Sequence, residues 1–171
     1  MLSARLPDRF SLHERSHDAG SDRRDDVDLK MNADPPRIRT EVQVMFFDTD
    51  CGGVVSNIAY LRFVEIGRTL LAEELGLPVA EMAHTQKYPV VVKTEIDYRR
   101  VAKLGDRLVV EGWLDDLQRA RFWCAFQITR PSDKSIIVDC RQMLALIEMP
   151  AAKLLPLPAA WKKYRARTKS A

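Results

Sequence analysis

The stretch from Ile58 to Leu75 constrains this sequence most, because its residues suit a helix yet are apolar around most of its circumference. Arg62, Glu65, Thr69 and Glu73, spaced by three and four, make one polar stripe. Leu61, Phe63, Val64, Ile66, Leu70, Leu71 and Leu75 fill much of the remainder. A helix of that kind is stable only when other structure wraps it. Asn57 is placed to cap its start, Gly76 follows its end, and Pro78 blocks continuation.

The wrapping material reads as strands. Ile38, Thr40, Val42, Val44 and Phe46 alternate with Arg39, Glu41 and Gln43, the period of a half-buried strand. A loop from Leu77 to Lys87 is expected after the helix, then four more strand-like runs, at about 89–98, 107–117, 121–129 and 135–148. Lys103-Leu104-Gly105-Asp106, Asp115-Asp116-Leu117-Gln118 and Arg130-Pro131-Ser132-Asp133-Lys134 separate those runs as turns. One strand, one buried helix and an antiparallel meander of four strands make an α+β domain, not a wound α/β one.

The ends differ from the middle. Residues 1–36 carry Asp18, Asp22, Arg23, Arg24, Asp25, Asp26 and Asp28 with few large apolar groups. Such a segment cannot bury enough surface to offset its ordering entropy, so a disordered tail is expected there, with Met31 a plausible alternative start. The folded domain is expected over 37–158, followed by a basic tail over 159–171 that includes Lys162, Lys163 and Arg165.

Composition excludes several classes. The net charge of +3 makes no case for nucleic acid, though it suits an anionic substrate. Cys51, Cys124 and Cys140 are widely spaced, odd in number and in no metal-ligand pattern, as expected of reduced thiols. No run approaches the roughly 20 apolar residues of a membrane-spanning helix, and no apolar leader follows the first basic residues. A cytoplasmic location is therefore expected. There is no phosphate-cradling glycine loop, Gly-x-Ser-x-Gly elbow or paired-histidine metal motif, so no metal or redox cofactor is implied.

The chemically informative segment is Asp48-Thr49-Asp50-Cys51-Gly52-Gly53-Val54-Val55-Ser56-Asn57-Ile58-Ala59-Tyr60. It places carboxylates at a strand end, then a glycine turn, then a helix start. Helix N-terminal amides lack intrahelical acceptors and carry positive partial charge. They can polarise a carbonyl and stabilise the oxyanion formed when it is attacked. A nearby carboxylate can attack that carbonyl or activate water. On the residues alone, an acidic loop that merely caps a helix is the commoner arrangement. Glycines such as Gly53 let a substrate approach the backbone.

In its spacing, Asp-Thr-Asp-x-Gly-Gly-Val-Val-x-Asn-x-x-Tyr followed by Glu65 and Arg68 resembles the 4-hydroxybenzoyl-CoA thioesterase family, especially its YbgC-type acyl-CoA thioesterases. The resemblance runs from about Arg37 to Pro158 and includes Tyr98-Arg99-Arg100-x-Ala102-x-x-Gly105-Asp106. It implies a hotdog fold, an antiparallel five-stranded sheet around one long central helix. It also implies hydrolysis of an acyl-CoA, with Asp50 as catalytic carboxylate and an amide at Asn57 or its neighbours polarising the thioester. An acyl carrier protein thioester is an alternative substrate. YbgC-type members often carry histidine where this chain has Asn57, so no histidine role transfers; His84 falls in a loop.

Gly53, Val55, Ser56, Tyr60, Glu65, Arg99 and Arg100 are the expected substrate contacts; Arg99, Arg100 and Lys103 either meet coenzyme A phosphates or form a plain solvated basic edge. Glu65 has a competing part as an ion-pair partner of Arg62 or Arg68, and Asp48 as a shaper of its turn. Cys51 is a weaker nucleophile candidate beside Asp50. The resemblance implies a homodimer or dimer of dimers with the site at the subunit interface. A non-catalytic module that binds acyl-CoA or a protein is the rival function.

Overall fold

Ile38, Thr40 and Val42 of β1 (Arg37–Gln43) turn one face inward while their neighbours face solvent, as the alternation requires. The computed structural model describes residues 33–164. After β1 come α1 (Asn57–Glu74), α2 (Val79–Thr85), β2 (Lys87–Tyr98), β3 (Arg107–Leu117), β4 (Arg121–Arg130), β5 (Ser135–Glu148) and a two-residue β6 (Lys153–Leu154). The sheet order is β1-β3-β4-β5-β2, antiparallel throughout, and β6 pairs with β5 beyond the point where β4 ends. The sheet therefore has five long strands and a short sixth. It curls about α1, which packs chiefly on β1 and β3, with lighter contact to β4.

Two glycines set how closely helix and sheet approach. Gly67 of α1 and Gly112 of β3 both leave room for the Phe126 ring; a Cβ at Gly112 would lie 2.8 Å from that ring and 3.2 Å from Ile38. Val64, Leu71, Leu108, Val110, Leu114, Ile128 and Leu144 complete the buried centre. Core formation follows from removing these side chains from water, at about 25 cal/mol per Å² of apolar surface.

Several expectations need correction. β1 stops before Phe46, because Asp48 Oδ2 accepts a 2.8 Å hydrogen bond from the Met45 amide and draws residues 46–48 into a 3-10 turn. Phe46 and Phe47 are left exposed. Ser56, not Asn57, caps α1: its Oγ accepts from the Ala59 amide at 3.3 Å, and Asn57 becomes the first helical residue. The expected loop over 77–87 contains α2, whose hydrogen-bonded turn starts after Pro78. The wrapping of α1 is incomplete within one chain, since Ile58 remains 74% exposed and Leu61 and Ile66 are also exposed. The C-terminus of α1 matches expectation. Gly76 takes φ of 76°, and the Leu77 amide returns to the Ala72 carbonyl at 2.8 Å.

The basic tail expected from Ala159 begins instead with a packed 3-10 turn, Ala159–Tyr164. Trp161 is buried edge-on against Phe122, and its indole N–H donates to the Leu75 carbonyl at 2.9 Å. That bond satisfies one of the orphan carbonyls at the end of α1. Trp161→Phe keeps an aromatic ring but strands this carbonyl and leaves a small void, and should cost about 2 kcal/mol of stability or more, read as a shifted urea midpoint with unchanged m-value. Of the expected N-terminal tail, residues 1–32 lie outside the described residues; Ala33 packs against the core and the Pro36 carbonyl accepts from Leu114.

Candidate active site

The segment between β1 and α1 folds as a tight hairpin. Thr49 and Val55 bridge across it, the Asp50 amide donates to the Val54 carbonyl at 2.9 Å, and the Gly53 amide returns to the Asp50 carbonyl at 3.0 Å. Gly53 has φ of 71°, a conformation that L side chains strain to adopt. Asp50 is exposed. Its Oδ1 accepts from the Gly52 amide at 2.8 Å, and a Cβ at position 52 would press to 3.1 Å on that same oxygen. The two glycines thus permit the turn in which the Gly52 amide meets the Asp50 carboxylate, Gly53 by its positive φ and Gly52 by lacking a Cβ.

The hairpin runs straight into α1. The Val55 amide is committed to the Ala102 carbonyl and the Ser56 amide to the Asp48 carbonyl, both at 2.9 Å. Ser56 accepts from Ala59 and Tyr60. The amides of Asn57 and Ile58 have no acceptor among the described residues, so the first two donors of the helix remain available.

Beneath the junction lies a rigid base. Tyr60 is buried, its hydroxyl accepts from the Ala102 amide at 3.0 Å, and its ring packs on Phe63 and Tyr98. Burial pushes the Tyr60 hydroxyl above the ordinary phenol range, so it stays protonated near neutrality. The 99–106 loop is pinned to the hairpin by the Val54–Lys103 bridge and to the sheet end by Arg130, which bonds Asp106, Asp133 and the Val101 carbonyl. The Arg130 guanidinium, with help from Ser135, holds the Asp133 carboxyl well below the usual carboxylate range.

Asp48 is 1% exposed and forms an ion pair with Arg62, whose guanidinium lies over the Phe47 ring at 4.8 Å. It therefore fastens the preceding 3-10 turn to α1, a larger role than shaping its own turn. The structure brings Asp50, Gly53, Val55, Ser56 and Asn57 into one junction, with Tyr60 as a support within the core. It sets others apart. Glu65 lies eight residues beyond Asn57, about 12 Å of helix rise, and pairs with Arg68. Arg99 is matched by Asp97 at 3.4 Å and Asp139 at 3.0 Å. Arg100 is exposed, on the pinned loop. Cys51 is exposed at the hairpin tip, and Cys124 and Cys140 are buried, where desolvation pushes the Cys140 thiol up to about 11. His84 is exposed in α2, at the other end of α1.

Gln142 and Thr94 are absent from the sequence reading. Gln142 is 5% exposed, accepts from Arg68 at 3.2 Å and donates to Thr94 Oγ1 at 3.3 Å. The available signal was its register: Cys140, Gln142 and Leu144 share the inward face of β5, and a glutamine between two apolar groups there needs partners.

The sheet-wrapped helix is the hotdog fold, and the family and relatives it matches make the chain a thioester hydrolase. The chain belongs to the thioesterase-like superfamily, whose family profile matches residues 44–164. It is 40% identical over 80 residues to the acyl-CoA thioesterase YbgC of Haemophilus influenzae, a match covering 46% of this chain and 59% of that protein. It is 28% identical over 124 residues to the 1,4-dihydroxy-2-naphthoyl-CoA hydrolase of Synechocystis, covering 71% of this chain and 89% of the relative. The crystal structure of a 1,4-dihydroxy-2-naphthoyl-CoA thioesterase from Synechocystis shares its fold, with a TM-score of 0.68 at 23% identity, over 80% of this chain and all of that one. No described helix is long and apolar enough to cross a membrane.

Proposed function

We propose that this chain hydrolyses an acyl-CoA thioester to a carboxylic acid and free coenzyme A. The observation that carries the reading is the coupling of a fixed carboxylate, Asp50, to a helix start whose Asn57 and Ile58 amides lack acceptors. The thioester carbonyl oxygen sits at those amides, which gain strength as charge develops on it. Asp50 either attacks the carbonyl carbon, giving an anhydride that water opens, or takes a proton from the attacking water. In both courses the C–S bond breaks, the thiolate leaves and is protonated, and the acid is released. Arg100 and Lys103, exposed on the loop pinned beside the hairpin, are placed for the phosphates of coenzyme A. Free-thiol release from a panel of acyl-CoAs of varied length and aromaticity tests the activity. Tight binding of an acyl-CoA without turnover on any member would instead establish the non-catalytic module.

The working form is a homodimer. β2 is an edge strand exposed on both faces, with Val91 and Val92 open to solvent, and Phe46, Phe47, Ile58 and Leu61 form further apolar surface near the junction. A second copy covers both features, and edge pairing removes the unpaired strand. Light scattering at micromolar concentration should give twice the chain mass or a multiple of it. A stable monomer that retains turnover would contradict this.

A further inference from the structure

The inner face of the sheet is largely apolar against α1, and Gln142 is a buried polar side chain on it. There Arg68 reaches from α1 to Gln142 on β5, Gln142 continues to Thr94 on β2, and Glu65 holds the solvent side of the guanidinium. Behind this crosspiece lies an apolar pocket lined by Arg68, Leu71, Leu75, Pro89, Phe122 and Leu144, closed down to about 10 Å³, room for at most one water. Leu77, which lines that pocket, also lines a cavity of about 430 Å³ at the C-terminal end of α1, among Met82, Leu146, Leu155 and Pro156. The cavity opens on the side of Arg68 away from Asn57. A charged side chain at the mouth of apolar space has a desolvation cost that its packing neighbours do not repay. Its two polar partners, Gln142 and Glu65, offset that cost, and Thr94 in turn holds Gln142, so the crosspiece is a built feature of the fold.

We propose that Arg68, held by Gln142, is a specificity-determining residue that ends the acyl site and shuts long chains out of the apolar space behind it. The inference rests on the acyl-CoA thioesterase reading. Arg68 stands eleven residues beyond Asn57, about 16 Å along the helix axis, and that distance sets the length of acyl group the site accepts. Within it an apolar chain gains from burial along α1. Past it the chain meets a guanidinium whose bonds must break before another methylene is buried.

The test compares octanoyl-CoA with palmitoyl-CoA by kcat/KM in the full-length protein. The wild type should favour octanoyl-CoA by about tenfold or more. Arg68→Ala should raise the palmitoyl-to-octanoyl ratio by about tenfold, and Gln142→Leu, which keeps volume but frees the guanidinium, should raise it in the same direction. A wild type that hydrolyses both equally overturns the proposal without any variant. So does an unchanged ratio in either variant once circular dichroism shows it folded. A wild type active only on aromatic acyl-CoAs also overturns it while leaving the thioesterase reading intact. A wild type inactive on every acyl-CoA removes both.

Discussion

Asp50→Asn should lower kcat on any acyl-CoA substrate by about 10²–10⁴-fold while KM and melting temperature stay close to wild type. Asparagine keeps the side-chain oxygen that accepts from the Gly52 amide at 2.8 Å, so the hairpin and the helix start should persist. It loses the carboxylate that attacks or takes a proton, so the loss falls on the chemical step. Two controls give the number meaning. Asp48→Asn weakens the ion pair between the buried Asp48 and half-exposed Arg62 and should lower stability more than turnover. Glu65→Gln should leave most of the rate, because Glu65 is bound to Arg68 two helical turns away from Asn57. Near-normal turnover in Asp50→Asn with a dead Glu65→Gln would move the chemistry to the helix carboxylate.

Gly112→Leu should destabilise the domain by about 3 kcal/mol, or prevent soluble expression, without touching the junction. Even a methyl group there would sit 2.8 Å from the Phe126 ring and 3.2 Å from Ile38, and Val110, itself against Gly67, lies two residues away on the same face of β3. The Phe126 ring is 1% exposed, so it cannot yield by swinging into solvent. Urea unfolding gives the magnitude. A stability loss below about 0.5 kcal/mol would mean that sheet and helix separate more easily than this packing implies.

Local patterns were legible and long-range polar ones were not. The periods of 2 and 3.6 located β3 and β5 to the residue, and Gly76 and Pro78 located the end of α1, because each signal is written in adjacent residues. The carboxylate–glycine–helix segment was equally local, and the structure brings its residues together at one junction. Ser56 and Asn57 are both good caps, so sequence could not choose between them; the Ala59 amide does. β1 was drawn too long because Phe46 continues its alternation, and only the Asp48 bond to Met45 breaks it. The packing of Trp161 on Phe122 and the Arg68–Gln142–Thr94 crosspiece join residues 39 to 74 positions apart. No window of sequence carries such a pairing.

The sheet order has a consequence for how the chain is made. Among the described residues β2 pairs with β5 alone, and Lys87 waits for Glu148, about 60 residues later. At a synthesis rate of roughly 5–20 residues per second, the strand emerges from the ribosome and stays unpaired for about 3–12 s. Throughout that interval it offers Val90, Val91 and Val92 to any passing strand. Lys93, Glu95 and Asp97 follow at once, two of them joined by an ion pair in the finished fold. Their charges guard the nascent strand against mispairing before they serve the folded enzyme.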